Sequence, residues 1–185
     1  MAYPMKDLHA DIERILLTKE QLDEKVKEIG RQITEDYQGK NLLLVSVLKG
    51  SVVFIADIMR AINLPYAIDL MAVSSYGDHT KSSGVVKINL DLKADIEGKD
   101  ILIIEDIIDS GLTLSYIKEL LQGRGPRSVE ICSILNKPDC NKVDVNPKYL
   151  GFDIPAEFVV GYGLDYAERY RGLPYVGVLK REIYE

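Results

Sequence analysis

The chain has 185 residues, 46% of them hydrophobic and 28% charged, with a formal net charge of -6. That balance suits one globular domain with a full core, excludes fibrous and disordered classes, and argues against broad electrostatic binding to nucleic acid. No apolar run approaches the roughly 20 residues that span a bilayer, and residues 1–7 lack the pattern of a leader peptide, so the expectation is a cytoplasmic protein with no membrane contact.

Taken in order, Thr18 and Gln21 have the spacing of a capping box, and Leu22, Val26, Ile29 and Ile33 then recur at helical intervals up to Tyr37 and Gly39. Residues 41–48 are almost continuously apolar, as a strand buried on both faces is, and Lys49-Gly50-Ser51 turns that strand into a helix carrying Val53, Phe54, Ile58 and Ile62. Read alone, this turn is a tight connection with an N-cap. Residues 66–74 and 84–90 read as two further strands, and the polar segment between them, with Ser75, Tyr76 and His79, as a loop.

The most informative stretch is residues 101–113. Ile101-Leu102-Ile103-Ile104 runs into Glu105-Asp106-Ile107-Ile108, then Asp109-Ser110-Gly111-Leu112-Thr113, and Tyr116, Ile117, Leu120 and Leu121 follow at helical spacing. This predicts a buried parallel strand, a tight loop and a helix. A helix start behind a small Gly-containing loop offers unpaired N–H groups and a positive dipole end to a phosphate, and Ser110 and Thr113 add hydroxyls. Glu105 and Asp106 repel a phosphate but accept hydrogen bonds from a vicinal diol, or help to hold magnesium. The combination points to a sugar phosphate; the plain alternative is a turn whose Asp109 and Ser110 only cap the helix.

Beyond it, Gly123 to Pro126 break the helix, residues 128–135 form a strand ending in Asn136-Lys137-Pro138, and residues 175–179 form the last strand. Cys132 sits in an apolar run and Cys140 beside Pro138 and Asp139, without metal-ligand spacing or a disulfide framework, so both are expected to be reduced and structural.

Residues 101–113 resemble the phosphoribosyl-diphosphate-binding motif of the type I phosphoribosyltransferases. From about Asn41 onward, the Leu48-Lys49-Gly50 turn, Lys137 and the block from Glu157 to Arg171 are similar to the hypoxanthine-guanine phosphoribosyltransferases. The resemblance implies purine salvage: transfer of the 5-phosphoribosyl group from phosphoribosyl diphosphate to hypoxanthine or guanine, giving IMP or GMP and diphosphate, with Mg2+ as cofactor. It implies that Glu105, Asp106, Asp109, Ser110, Gly111, Leu112 and Thr113 bind phosphoribosyl diphosphate, with Asp109 also catalytic as acceptor of the purine proton. Lys49, Gly50 and Arg171 would bind diphosphate, with a cis peptide between Leu48 and Lys49. Lys137, Phe158, Val159 and Asp165 would bind the purine, Glu105, Asp106 and Asp165 the metal, and the Ser75-Tyr76 loop would close over the site.

The fold expected is α/β: a mostly parallel central sheet with helices on both faces and a small C-terminal hood. Residues 1–185 would be one domain, with a core of about 18–145 and a hood built from the C-terminal segment and N-terminal residues. The partners expected are phosphoribosyl diphosphate, a 6-oxopurine and further copies of the chain, as a dimer or tetramer, with no nucleic acid or membrane. Two other readings stay open: a regulator of the same fold that senses phosphoribosyl diphosphate or nucleotides, and an enzyme specific for xanthine or a pyrimidine.

Overall fold

The computed structural model describes residues 7–75 and 86–185. Strand β1 (Ile12–Leu17) leads to helix α1 (Lys19–Asp36), strand β2 (Leu42–Leu48), helix α2 (Val52–Ala61), strand β3 (Ala67–Ser75) and strand β4 (Val86–Leu90). Then come β5 (Asp100–Ile108), α3 (Leu112–Gln122), β6 (Ser128–Asn136), β7 (Tyr149–Asp153), β8 (Val159–Val160), β9 (Val176–Leu179) and the short helix α4 (Arg181–Tyr184).

Local chemistry accounts for the first helix. The Gln21 N–H donates to Thr18 Oγ1 at 3.3 Å and the Thr18 N–H to Gln21 Oε1 at 2.8 Å, so both halves of the capping box form. Leu22, Val26, Ile29 and Ile33 are buried along one stripe, and Gly30 lets α1 approach α2, because a Cβ there would lie 2.5 Å from Ala61 Cβ.

The six-stranded sheet has the order β4-β3-β2-β5-β6-β7, parallel except for β4, which pairs antiparallel with β3. Its central strands bury both faces. Leu42 and Leu44 of β2 and Leu102 and Ile104 of β5 pack with α1 and α2, while Leu43, Val45, Ile101 and Ile103 pack with α3 on the other side. That is why both strands read as unbroken apolar runs. At the start of β5, the buried carboxylate of Asp100 accepts hydrogen bonds from Arg127 Nε at 3.0 Å and Ser128 Oγ at 2.8 Å.

Three differences from the sequence reading matter. The central strand runs on through Glu105 and Asp106 to Ile108, past the aliphatic run Ile101–Ile104 that marks it in the sequence. The core was expected to stop near residue 145, but β7 pairs in parallel with β6 and carries the main sheet to Asp153. The segment Ile12–Leu17, not read as a strand, pairs antiparallel with β9, which also pairs with β8, and these three strands form the hood sheet. The hood has its own apolar cluster around Val160, Tyr170, Leu173 and Leu179, and is tied to α2 by the Tyr162 hydroxyl, which donates to Asp57 Oδ2 at 2.7 Å. Among the described residues, no helix is long and apolar enough to cross a membrane.

Candidate active site

Parallel strands place their C-terminal ends along one edge of a sheet, where α/β folds bind ligands. Here Leu48 pairs with Ala72, and Ile108 with Asn136, so the segments after β2, β5 and β6 converge on one side. Two adjoining hollows lie there, sharing Gly50 and Asp106.

The first, of about 260 Å³, is lined by Gly50, Glu105, Asp106, Asp109, Ser110 and Thr113, among others. Its floor is the turn into α3, where Gly111 has φ 77° and precedes the helix without a side-chain cap. The turn is fixed from outside. The Lys142 N–H donates to Ser110 O at 2.9 Å, and a Cβ on Gly111 would sit 2.8 Å from Val143 O. A glycine is therefore required both for its left-handed backbone and for space. The first-turn amides of α3 and the Ser110 and Thr113 hydroxyls make this end of the hollow a donor-rich seat for an anion.

The opposite wall is acidic. Asp106 is 7% exposed and accepts from the Ile107 N–H at 2.9 Å. Burial holds its carboxyl above the usual range, against the opposing pull of hydrogen bonds from Glu105 and the backbone and of the Arg171 charge. Burial, reinforced by neighbouring Asp106, pushes Glu105 well above the usual range. Glu105 Oε2 is buried without a hydrogen-bond partner among the described residues. Glu105 lines the hollow, and an orphaned carboxyl oxygen there is an acceptor in want of a partner, such as a ligand hydroxyl or a cation. Gly50 completes this wall, since a Cβ there would fall 1.6 Å from Asp106 Oδ2. The oxygen-only donors suit magnesium. Among the described residues no group of three or more His, Cys, Asp or Glu closes a metal cage.

The second hollow, of about 410 Å³, is lined by Lys49, Val159, Leu164, Asp165, Glu168 and Arg171, among others. The Leu48–Lys49 peptide is cis. Lys49 Nζ lies 3.1 Å from Glu168 Oε1, while Arg171 donates to Gly163 O at 2.9 Å and pairs with Asp165 at 2.9 Å and Glu168 at 3.5 Å. Ala167 and Glu168 both have positive φ, at 51° and 62°, and form the tip of a two-residue turn closed by Tyr166 and Arg169. Sequence reasoning passed over Glu168: nothing in residue type or spacing shows that this turn brings it against Lys49.

Of the remaining expected residues, Lys137 follows β6, and its N–H donates to Ile108 O at 2.8 Å, which puts it beside the Asp109 loop. The Asn141 amide bridges this loop pair when its nitrogen faces inward, reaching Asp109 O at 2.6 Å and Lys137 O at 3.1 Å. Leu112 opens α3 and lines neither hollow. Phe158 also lies outside both, its ring stacked on Tyr184. Ser75 ends β3, and Tyr76 lies outside the described residues.

The chain has known relatives in sequence and in fold. The pattern of the family described as phosphoribosyl transferase domain matches residues 15–167. The chain is 51% identical over 179 residues to the bifunctional protein TilS/HprT of Listeria monocytogenes serotype 4b (strain F2365), covering 97% of this chain but spanning only 28% of that protein's length. It is 50% identical to the hypoxanthine-guanine phosphoribosyltransferase of Mycobacterium avium, over 100% of this chain and 94% of the relative. A solved hypoxanthine phosphoribosyltransferase from Staphylococcus aureus superposes with a TM-score of 0.95 at 50% identity, covering 99% of this chain and 100% of the other. With one family pattern matching residues 15–167 and a near-identical architecture at half identity, the chain belongs to the phosphoribosyl transferase domain family.

Proposed function

We propose that this chain transfers the 5-phosphoribosyl group of phosphoribosyl diphosphate to hypoxanthine or guanine. The observation that carries the reading is the meeting of two unlike hollows at Asp106: a donor-rich helix start on one side and the cations Lys49 and Arg171 on the other. A sugar with a phosphate at one end and a diphosphate at the other matches that polarity. The names of relatives that are half identical over nearly the whole chain support the choice of base.

In this reading the 5′-phosphate sits on residues 110–113, and the ribose hydroxyls donate to Glu105 and Asp106. Lys49, Gly50 and Arg171 hold the diphosphate, and Lys137, Phe158, Val159 and Asp165 the base. The bond from the ribose anomeric carbon to the diphosphate oxygen breaks as that carbon bonds to a purine ring nitrogen, and Asp109 takes the proton that nitrogen loses. Positive charge develops on the ribose ring, as in glycoside cleavage, so flanking carboxylates favour the transition state. When bound, magnesium neutralises charge on the departing diphosphate; Glu105, Asp106 and Asp165 are the residues that would hold it. Closure of the Ser75-Tyr76 loop would exclude water.

The same proposal places the chain in the cytoplasm, as one domain and as a dimer or tetramer. Ile68, Leu70 and Leu90, exposed on the β3–β4 edge at 47%, 36% and 38%, support self-association. The test of function is diphosphate release from phosphoribosyl diphosphate with each of hypoxanthine, guanine, xanthine and uracil, with magnesium and with excess chelator. Release with hypoxanthine or guanine that requires magnesium supports it. Binding without turnover would identify a sensor, and turnover only with xanthine or uracil another specificity.

A further inference from the structure

Phe158 is 38% exposed although it is a large apolar side chain, and two other rings pack against it. Tyr184 stacks on it with centroids 4.7 Å apart and planes at 22°, while Tyr166 meets it edge-on at 5.7 Å and 88°. Tyr166 and Tyr184 also contact one another, at 6.4 Å and 68°, so the three rings form a closed aromatic set. The backbone puts them in reach: the Leu179 N–H donates to Phe158 O at 3.0 Å, and α4 follows from Arg181.

The side from which Tyr184 approaches is fixed by what each residue packs on. Val159 and Leu164 belong to the apolar cluster of the main sheet and line the second hollow. Tyr166 and Tyr184 pack instead on the hood's own cluster, around Val160, Tyr170 and Leu179. Tyr184 therefore reaches Phe158 from the side of the hood's cluster, and Phe158 remains 38% exposed with Tyr184 stacked on it.

We infer that Tyr184 is a positioning residue for the purine: stacked on Phe158, it holds that ring in one orientation, so that its exposed part stands ready for the base. This rests on the function proposed above. A ring held in one orientation before the ligand arrives loses less freedom on binding. The brace is expected to act on base affinity, because Tyr184 and Phe158 line neither of the two hollows that hold the phosphate loop and the Lys49–Arg171 pair.

The test is steady-state kinetics of Tyr184→Ala, Tyr184→Leu and Tyr184→Phe with hypoxanthine and phosphoribosyl diphosphate. Tyr184→Ala and Tyr184→Leu should each raise the KM for hypoxanthine about threefold to tenfold, the range one aromatic pair supports, with kcat and the KM for phosphoribosyl diphosphate within about twofold of the parent. Tyr184→Phe should match the parent throughout. If Tyr184→Leu also matches the parent, apolar filling suffices and the brace is refuted. A hypoxanthine KM that falls in Tyr184→Ala refutes it too, by showing that Tyr184 covers the seat of the base. A parent that turns hypoxanthine over with Tyr184→Ala unchanged overturns the brace alone; a parent with no hypoxanthine turnover overturns the functional reading and the brace together.

Discussion

At the scale of single residues, the proposed function divides the site into groups that would bind and one, Asp109, that would move a proton. Asp109 is exposed on the turn after β5, and the neighbouring Ser110, Gly111 and Thr113 supply the anion seat without it. Asp109→Asn should lower kcat by about tenfold to a hundredfold, the low end of general-base effects, because diphosphate departure carries much of the barrier. The KM for phosphoribosyl diphosphate should barely change. An unaltered single-turnover rate would remove Asp109 from proton transfer. The acidic and glycine-rich parts of this site were legible in residues 105–113 because their chemistry is local in sequence. What was not legible lies across long separations: Glu168 meets Lys49, and Tyr184 stacks on Phe158, through turns that residue type does not announce.

At the scale of elements, the turn between β5 and α3 is the part least tolerant of change. Gly111→Ala forces a side chain into a left-handed backbone and against Val143 O, and should cost about 1–3 kcal/mol of stability, read as a fall in denaturant midpoint. A midpoint equal to the parent's would show that the turn relaxes. At the opposite end of β5, the Arg127 guanidinium holds the Asp100 carboxyl below its usual value, with Ser128 assisting. A depressed carboxylate contributes stability that is present above its unfolded pKa, about 3.9, and is lost as pH falls through the lower folded value. The difference in Tm between the parent and Asp100→Asn should therefore hold from neutral pH to about pH 5 and close below about pH 4. A difference that persists in acid would mean that the pair acts through packing. Helices α1, α2 and α3 were legible because capping and apolar spacing are local signals. Strand β1 was not: its partner is β9, at the far end of the chain, and residues 12–17 show no alternation of their own.

At the scale of the whole molecule, one sheet with buried strands on both faces fixes the edge on which the loops converge, and the hood brings the base-side residues over it. The α/β class and the turn from β5 into α3 followed from the apolar runs and the Asp109–Thr113 stretch. The docking of the hood through Tyr162 and Asp57, and the cis peptide at Leu48–Lys49, could not be read from composition or periodicity, since neither leaves a local pattern. In the proposed function, the choice of a 6-oxopurine turns on Lys137. An ammonium group donates hydrogen bonds and accepts none, so it pairs with a 6-oxo group and opposes the 6-amino group of adenine. The direct measurement is kcat/KM for hypoxanthine and for adenine, with phosphoribosyl diphosphate and magnesium, in the parent and in Lys137→Ala. The parent should favour hypoxanthine by roughly 10⁴ or more, as sites built on such a hydrogen bond do, and Lys137→Ala should lose most of that preference through a fall in the hypoxanthine value. Comparable use of adenine by the parent, or an unchanged hypoxanthine value in Lys137→Ala, would contradict it.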